Sequence, residues 1–370
     1  MDKKSLKKKI KTGFSFSVRV LAGVFLLFLG AYIAISLAKN GSDIFYYALA
    51  FASPGNAIEF LSTPKTEEFF EETPTAEVFV PEETEEIEPV FENFSAPEIV
   101  FNIPEENRGK ITETTYSASE GGIYIGYNGA IIKNCTKLSA KKVKEILSKK
   151  HSLNIDFNET APQVLIYHTH ATESYEPFDR DYFDKTGGWR STDPDINMIS
   201  VGDVITSVLT EKGIGVIHSG KMHDDPGYNG SYKRSAATVS EILEENPGIK
   251  ICLDIHRDAI EPSESEIIKP VAVIDGKKAA QIMIIAGCDD GTMDMPDYAE
   301  NLRFAAALSS KIEELYPGLS RPILFDYRKY NMDLSPGLLL IEIGASGNTL
   351  EEAKYSAELL ANAIAELFYE

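Results

Sequence analysis

Cysteine is scarce in this chain of 370 residues. Cys135, Cys252 and Cys288 are an odd number, and no two stand in CxxC spacing. That excludes a disulfide framework and a cysteine-held metal as organising devices. Cys252 lies in an apolar run and Cys288 follows one, so both read as small core side chains. No glycine-rich loop follows a strand pattern, so the chain has no phosphate cradle for a nucleotide cofactor. Ser174 stands in Thr-Glu-Ser-Tyr, without the glycines of a nucleophile elbow. Positive charge is short as well, with 36 Lys and Arg against 57 Asp and Glu and a net charge of −21. A nucleic-acid partner is excluded on that balance, because phosphate binding needs a basic face.

The charge that is present is unevenly spread. Six lysines fall in the first eleven residues, whereas residues 66–107 hold fourteen glutamates and no lysine or arginine. Between these lies Val20–Ala38, nineteen uncharged residues, which at about 1.5 Å per residue match the roughly 30 Å hydrocarbon core. The run exceeds the 7–15 residues usual for a signal-peptide core. We therefore expect a cytoplasmic basic segment (1–19), an uncleaved transmembrane helix (20–38) and an outward-facing remainder. An acidic Pro/Glu-rich linker should follow over 39–114, self-repelling and extended.

Beyond it, a small lead-in (115–160) precedes a main domain (161–370). Apolar runs at 163–167, 214–218, 249–255, 281–286 and 338–343 read as buried strands. They alternate with helical patterns at 197–212, 231–246, 297–316 and 349–368, the last opening with Thr349 and Glu352 in capping-box spacing. The alternation predicts an α/β fold with a mainly parallel sheet and helices on both faces.

Histidine ends two of those strands. One reads Val164-Leu-Ile-Tyr-His168-Thr-His170-Ala-Thr-Glu173, the other Ile251-Cys-Leu-Asp-Ile-His256-Arg257-Asp258. Open α/β sheets build their sites at such carboxyl ends. Imidazole nitrogen and carboxylate oxygen suit a borderline ion such as zinc, so His168, His170, Glu173 and His256 form a candidate metal set. Spacing leaves open which of His168 and His170 is the ligand. Glu342 interrupts the apolar run Leu338–Ile343. It suits a general base or a stabiliser of a leaving amine; the alternative is a buried partner of Arg257 or Arg234. Arg257 can grip a substrate carboxylate and Asp258 can orient an imidazole, or the two form a surface pair. Asp193, Asp195, His223, Asp224 and Asp225 read as a solvated loop cluster.

These segments, with Tyr330-Asn-Met-Asp-Leu-Ser-Pro-Gly, Tyr316-Pro-Gly-Leu, Asn301-Leu-Arg-Phe-Ala and Asn348-Thr-Leu-Glu-Glu-Ala, closely resemble the stage II sporulation protein P family over about residues 115–370. The resemblance implies a membrane-anchored zinc N-acetylmuramoyl-L-alanine amidase, with peptide-crosslink endopeptidase activity, acting on peptidoglycan during engulfment. It implies partnership with stage II sporulation proteins D and M and a place in the mother-cell engulfing membrane. It assigns the active site to His168, His170, Glu173, Ser174, His256, Asp258 and Glu342. Met332 departs from the pattern, which has glutamine there.

Overall fold

The structure, a computed structural model, describes residues 103–369. The expected basic segment, membrane helix and most of the acidic linker lie outside the described residues. Among the described residues no helix is long and apolar enough to cross a membrane.

In chain order the elements are β1 (Arg108–Thr114), β2 (Tyr124–Tyr127), β3 (Ala130–Asn134), α1 (Ala140–Leu147), β4 (Val164–Tyr167), β5 (Tyr182–Asp184), α2 (Met198–Glu211), β6 (Val216–His218) and α3 (Ser231–Glu245). They continue with β7 (Ile251–Asp258), β8 (Glu266–Ile274), β9 (Lys277–Ala280), β10 (Ile282–Gly287), α4 (Tyr298–Leu315), β11 (Ile323–Asp326), β12 (Leu338–Ala345) and α5 (Leu350–Tyr369). An eight-stranded sheet runs β2-β3-β11-β10-β12-β7-β4-β6, and β5-β1-β8-β9 form a second sheet. In the larger one, β2–β3 and β10–β12 are antiparallel and the other neighbours parallel. The expected mainly parallel sheet is thus present, with β10 reversed against β12.

Alternation along the strands divides the core. Val164, Ile166, Ile251, Leu253, Ile255, Leu339 and Ile341 pack with buried side chains of α2, α4 and α5. Their neighbours Leu165, Tyr167, Cys252, Leu338 and Leu340 face the other way and pack with Val239 of α3. A strand buried on both faces gives this continuous apolar run because successive side chains point to opposite sides. Both faces therefore carry helices.

Local signals act where the sequence places them. Asn197 caps α2 by accepting from the Ile199 amide at 2.9 Å, and Ser139 caps α1 by accepting from Lys142 at 3.2 Å. The capping box at α5 is reciprocal: Thr349 donates its amide to Glu352 at 3.0 Å, and Glu352 donates its own to Thr349 Oγ1 at 3.2 Å.

Two expectations about organisation change. Residues 108–114, assigned to the linker, form β1, which pairs with β5 and β8. The lead-in is not separate either, because β2 and β3 extend the main sheet through β11. Cys252 and Cys288 are buried and all three cysteines are free.

Candidate active site

Strands β4, β7 and β12 are parallel neighbours, so their carboxyl ends open on one edge of the sheet. Glu342 and His256 are cross-strand partners in register, which sets their side chains side by side. Just past Glu342 the register shifts, and Gly344 adopts φ 67°. A side chain there would also press on Asn348 and Ala280, so glycine permits the bulge that ends the strand beside the site.

After β4 the chain turns through His170, Ala171, Thr172 and Glu173, all buried. Ser174 donates its amide to Trp189 O, Ser191 to Thr172 O and Met198 to Ala171 O. Tyr175 donates its hydroxyl to Ile343 O at 2.8 Å. The segment is therefore tied to the 189–198 stretch and to β12 together.

His256 is held on both sides. Its Nε2 lies 2.9 Å from Asp254 Oδ1, an ion-pair distance that is off the hydrogen-bonding direction. Its Nδ1 lies 3.6 Å from Glu173 Oε2. Burial alone would lower its pKa, but Asp254, then Glu173 and Glu342, push it up to about 10. His170 behaves oppositely: burial, then His256 and three arginines, hold it neutral, down at about 2. Its ring stacks on Tyr228 at 4.3 Å and meets His256 edge-on at 5.2 Å. Glu342 carries a sealed Oε2 without a hydrogen-bond partner among the described residues. Burial, then Asp258 and Glu173, raises its pKa to about 8 against the opposing pull of His256 and Arg321.

The structure therefore brings His170, Glu173, His256 and Glu342 together. His168 is elsewhere, with Nδ1 on Ile255 O at 2.9 Å and Nε2 on His218 Nε2 at 2.9 Å. Both nitrogens are used, and burial lowers its pKa to about 3. Arg257 does not reach outward for substrate. It donates to Ser174 O at 3.0 Å, Trp189 O at 2.9 Å and Asp258 O at 3.4 Å, and its amide donates to Glu173 Oε2 at 3.2 Å. It braces the Glu173 turn. Asp258 pairs with Arg321 at 2.8 Å instead of orienting an imidazole. Ser174 enters this framework through its backbone amide and carbonyl. Met332 is buried and its sulfur accepts from the Gly287 amide at 3.2 Å.

Two residues outside the expected set matter. Asp254 supplies the imidazole contact foreseen for Asp258; its i, i+2 spacing from His256 on one strand face was the available signal. Asp224 is buried, not solvated. It pairs with Arg190 at 2.7 Å, accepts from Thr172 Oγ1 at 2.6 Å and lies 3.8 Å from His170 Nδ1. His223 is buried with it, bonded to His168 O at 2.8 Å. Asp193 and Asp195 form a loop turn.

The donor chemistry of His170, Glu173 and His256 suits zinc: one imidazole is neutral, and the carboxylates Glu173, Asp254 and Glu342 surround His256. As placed, however, no three His, Cys, Asp or Glu side chains among the described residues close around an ion.

An α/β protein with an imidazole–carboxylate cluster at the carboxyl ends of three parallel strands is the class these features define. The chain belongs to the family described as Stage II sporulation protein P, whose model matches residues 65–365. It is 31% identical over 224 residues to stage II sporulation protein P of Bacillus subtilis (strain 168). That match covers 56% of this chain and 51% of the relative, so it spans about half the relative's length. Among solved structures, N-acetylmuramoyl-L-alanine amidase AmiC2 of Nostoc punctiforme overlaps 57% of this chain and 97% of its own, at 12% identity and a TM-score of 0.33. The N-acetylmuramoyl-L-alanine amidase of Clostridium difficile 630 overlaps 57% and 96%, at 18% identity and a TM-score of 0.31.

Proposed function

We propose that this chain is a peptidoglycan hydrolase of sporulation that cleaves the amide between the N-acetylmuramoyl lactyl group and L-alanine. The observation that carries the reading is the convergence of His170, Glu173, His256 and Glu342 at one sheet edge, in a chain of this family. His170, Glu173 and the Nδ1 of His256 would hold zinc, which when bound polarises an amide carbonyl and acidifies water. Glu342 is the proton carrier. It takes a proton from the attacking water as the oxygen bonds to the carbonyl carbon, and delivers it to the alanine nitrogen as the C–N bond breaks. Asp254 holds the far side of the His256 ring, and Arg257 keeps the Glu173 carboxylate turned toward it. Cleavage of peptide crosslinks, anchoring by residues 20–38 in the engulfing mother-cell membrane, and work alongside stage II sporulation proteins D and M complete the reading.

The test is digestion of purified peptidoglycan by the full chain, with zinc and with chelator, and product identification by mass spectrometry. Zinc-dependent release of stem peptides beginning at L-alanine is expected, and His256→Ala should abolish it with the fold intact. Uncrosslinked muropeptides alone would mean an endopeptidase. Tight binding with no product would mean a wall-binding scaffold.

A further inference from the structure

The Tyr330-Asn331 pair stands in the left-handed region, at φ 41° and 59°. Asparagine tolerates that conformation, whereas a bulky residue such as tyrosine adopts it only when its surroundings impose it. Here the surroundings are explicit. The Tyr330 ring stacks on Tyr232 at 5.1 Å, and its hydroxyl accepts from Arg328 at 2.6 Å. The turn aims the Asn331 amide at α3, where Nδ2 donates to Tyr232 O at 3.1 Å and to Ser235 Oγ at 2.9 Å.

From there the donors can be followed in one direction. Asp254, fully buried, accepts the Thr169 amide on Oδ1 at 2.8 Å and the Thr169 hydroxyl on Oδ2 at 2.7 Å. Thr169 has one hydroxyl hydrogen, and the carboxylate takes it. The 2.8 Å contact between Thr169 Oγ1 and Ser235 Oγ therefore needs Ser235 as its donor. The other acceptor within reach of Ser235, Tyr232 O, is farther at 3.1 Å and already receives Asn331. Asn331 in turn supplies Ser235 with a donor. The result is an ordered relay from Asn331 to Ser235 to Thr169 to Asp254, whose Oδ1 lies against Nε2 of His256. Each bond polarises the next, and such buried chains are worth more than their members taken singly.

We infer that Asn331 and Ser235 are positioning residues for His256: the strained turn after β11 fixes the Asp254 carboxylate through this relay, so that the carboxylate holds the Nε2 side of the ring and Nδ1 faces Glu173. The inference rests on the active-site reading above only for the consequence in catalysis. A carboxylate placed against the far nitrogen is a device that fixes ring orientation.

The test uses the full chain in detergent, without zinc and with ¹⁵N-labelled histidine. It carries six histidines, and His256→Gln identifies the His256 signals in long-range ¹H–¹⁵N spectra. Ser235→Ala removes the relay's middle donor. Asn331→Asp keeps a residue that tolerates the left-handed turn but replaces the donor with an acceptor, drawing the Ser235 hydrogen away from Thr169. Each is expected to move the His256 ring nitrogens, with the double variant moving them no further than the larger single. Thr169→Val should move them too, and Thr169→Ser should restore them. On peptidoglycan, kcat should fall about tenfold at unchanged KM. Unmoved His256 signals in folded Ser235→Ala and Asn331→Asp would overturn the inference, as would shifts that add in the double variant. If the wild type releases no product while its His256 signals respond as described, the hydrolase reading fails and the positioning role stands.

Discussion

Glu342 shows how one residue acquires chemistry from its place. An isolated carboxylate in an apolar strand would be too costly to keep charged, and its Oε2 has no hydrogen-bond partner among the described residues. Burial, reinforced by Asp258 and Glu173, lifts its pKa from 4.5 to about 8. The folded protein therefore holds a proton that the unfolded chain releases at lower pH. The sign follows: this group's contribution is full below about 4.5 and is lost as pH rises through about 8. Glu342→Gln keeps the shape without the charge. In chelator, its melting temperature relative to wild type should rise steadily from pH 5 to pH 9 by scanning calorimetry; a constant difference would mean that Glu342 is charged throughout. If Glu342 is the proton carrier, the same variant loses about 10²–10⁴-fold in turnover.

At the scale of elements, the packing of α2 on the sheet depends on a position without a side chain. A Cβ at Gly202 would come within 2.5 Å of His218 Nε2 and 2.7 Å of His168 Nε2, between two rings joined at 2.9 Å. Alanine gains up to about 1 kcal/mol in helix propensity, but overpacking at a buried site costs about 1–3 kcal/mol. Gly202→Ala should therefore lower the unfolding midpoint, whereas Ser207→Ala, exposed on the same helix, should leave it near wild type. Elements of this kind were the legible part. Strands buried on both faces announce themselves as continuous apolar runs, and the cap at Thr349 as a partner at a fixed offset, Glu352. The second sheet was not legible. β1 carries one buried apolar residue, Ile111, among polar neighbours, and β8 contains Lys269 and Pro270, neither a strand signal. In the site, histidine spacing located the cluster, but the fate of each nitrogen depended on distant partners. His218 takes His168 out of reach, and Arg190 makes Asp224 a buried residue where its neighbours suggest a solvated turn.

Lys269 is where the molecule as a whole is fastened. Its side chain is 1% exposed, and its ammonium lies 2.7 Å from Glu352 of α5, 2.7 Å from Asp179 in the loop before β5, and 3.3 Å from Glu113 of β1. Lys278 of β9 reaches the same Asp179 and Glu113 at 3.0 and 2.6 Å. One cluster thus joins the second sheet to the helix that covers the first. Burial would lower the Lys269 pKa, but its bonds to Asp179 and Glu352 outweigh it and raise it, while Asp179 and Glu113 are lowered. The depressed carboxylates contribute stability above their unfolded values, and that contribution is lost as pH falls through their folded values. Lys269→Met would leave Glu352, itself buried, without its counter-charge, a loss of about 3–5 kcal/mol. Adding Glu352→Gln removes the stranded charge and keeps an acceptor for the Thr349 amide, as the capping box allows, so the double variant should recover most of that loss. Denaturant unfolding at pH 7 measures both. As pH falls through the lowered values of Asp179 and Glu113, the gap between the single variant and wild type should narrow, because those carboxylates then lose their charge in wild type as well. A double variant no more stable than Lys269→Met would show that the stranded charge of Glu352 is not the source of the loss.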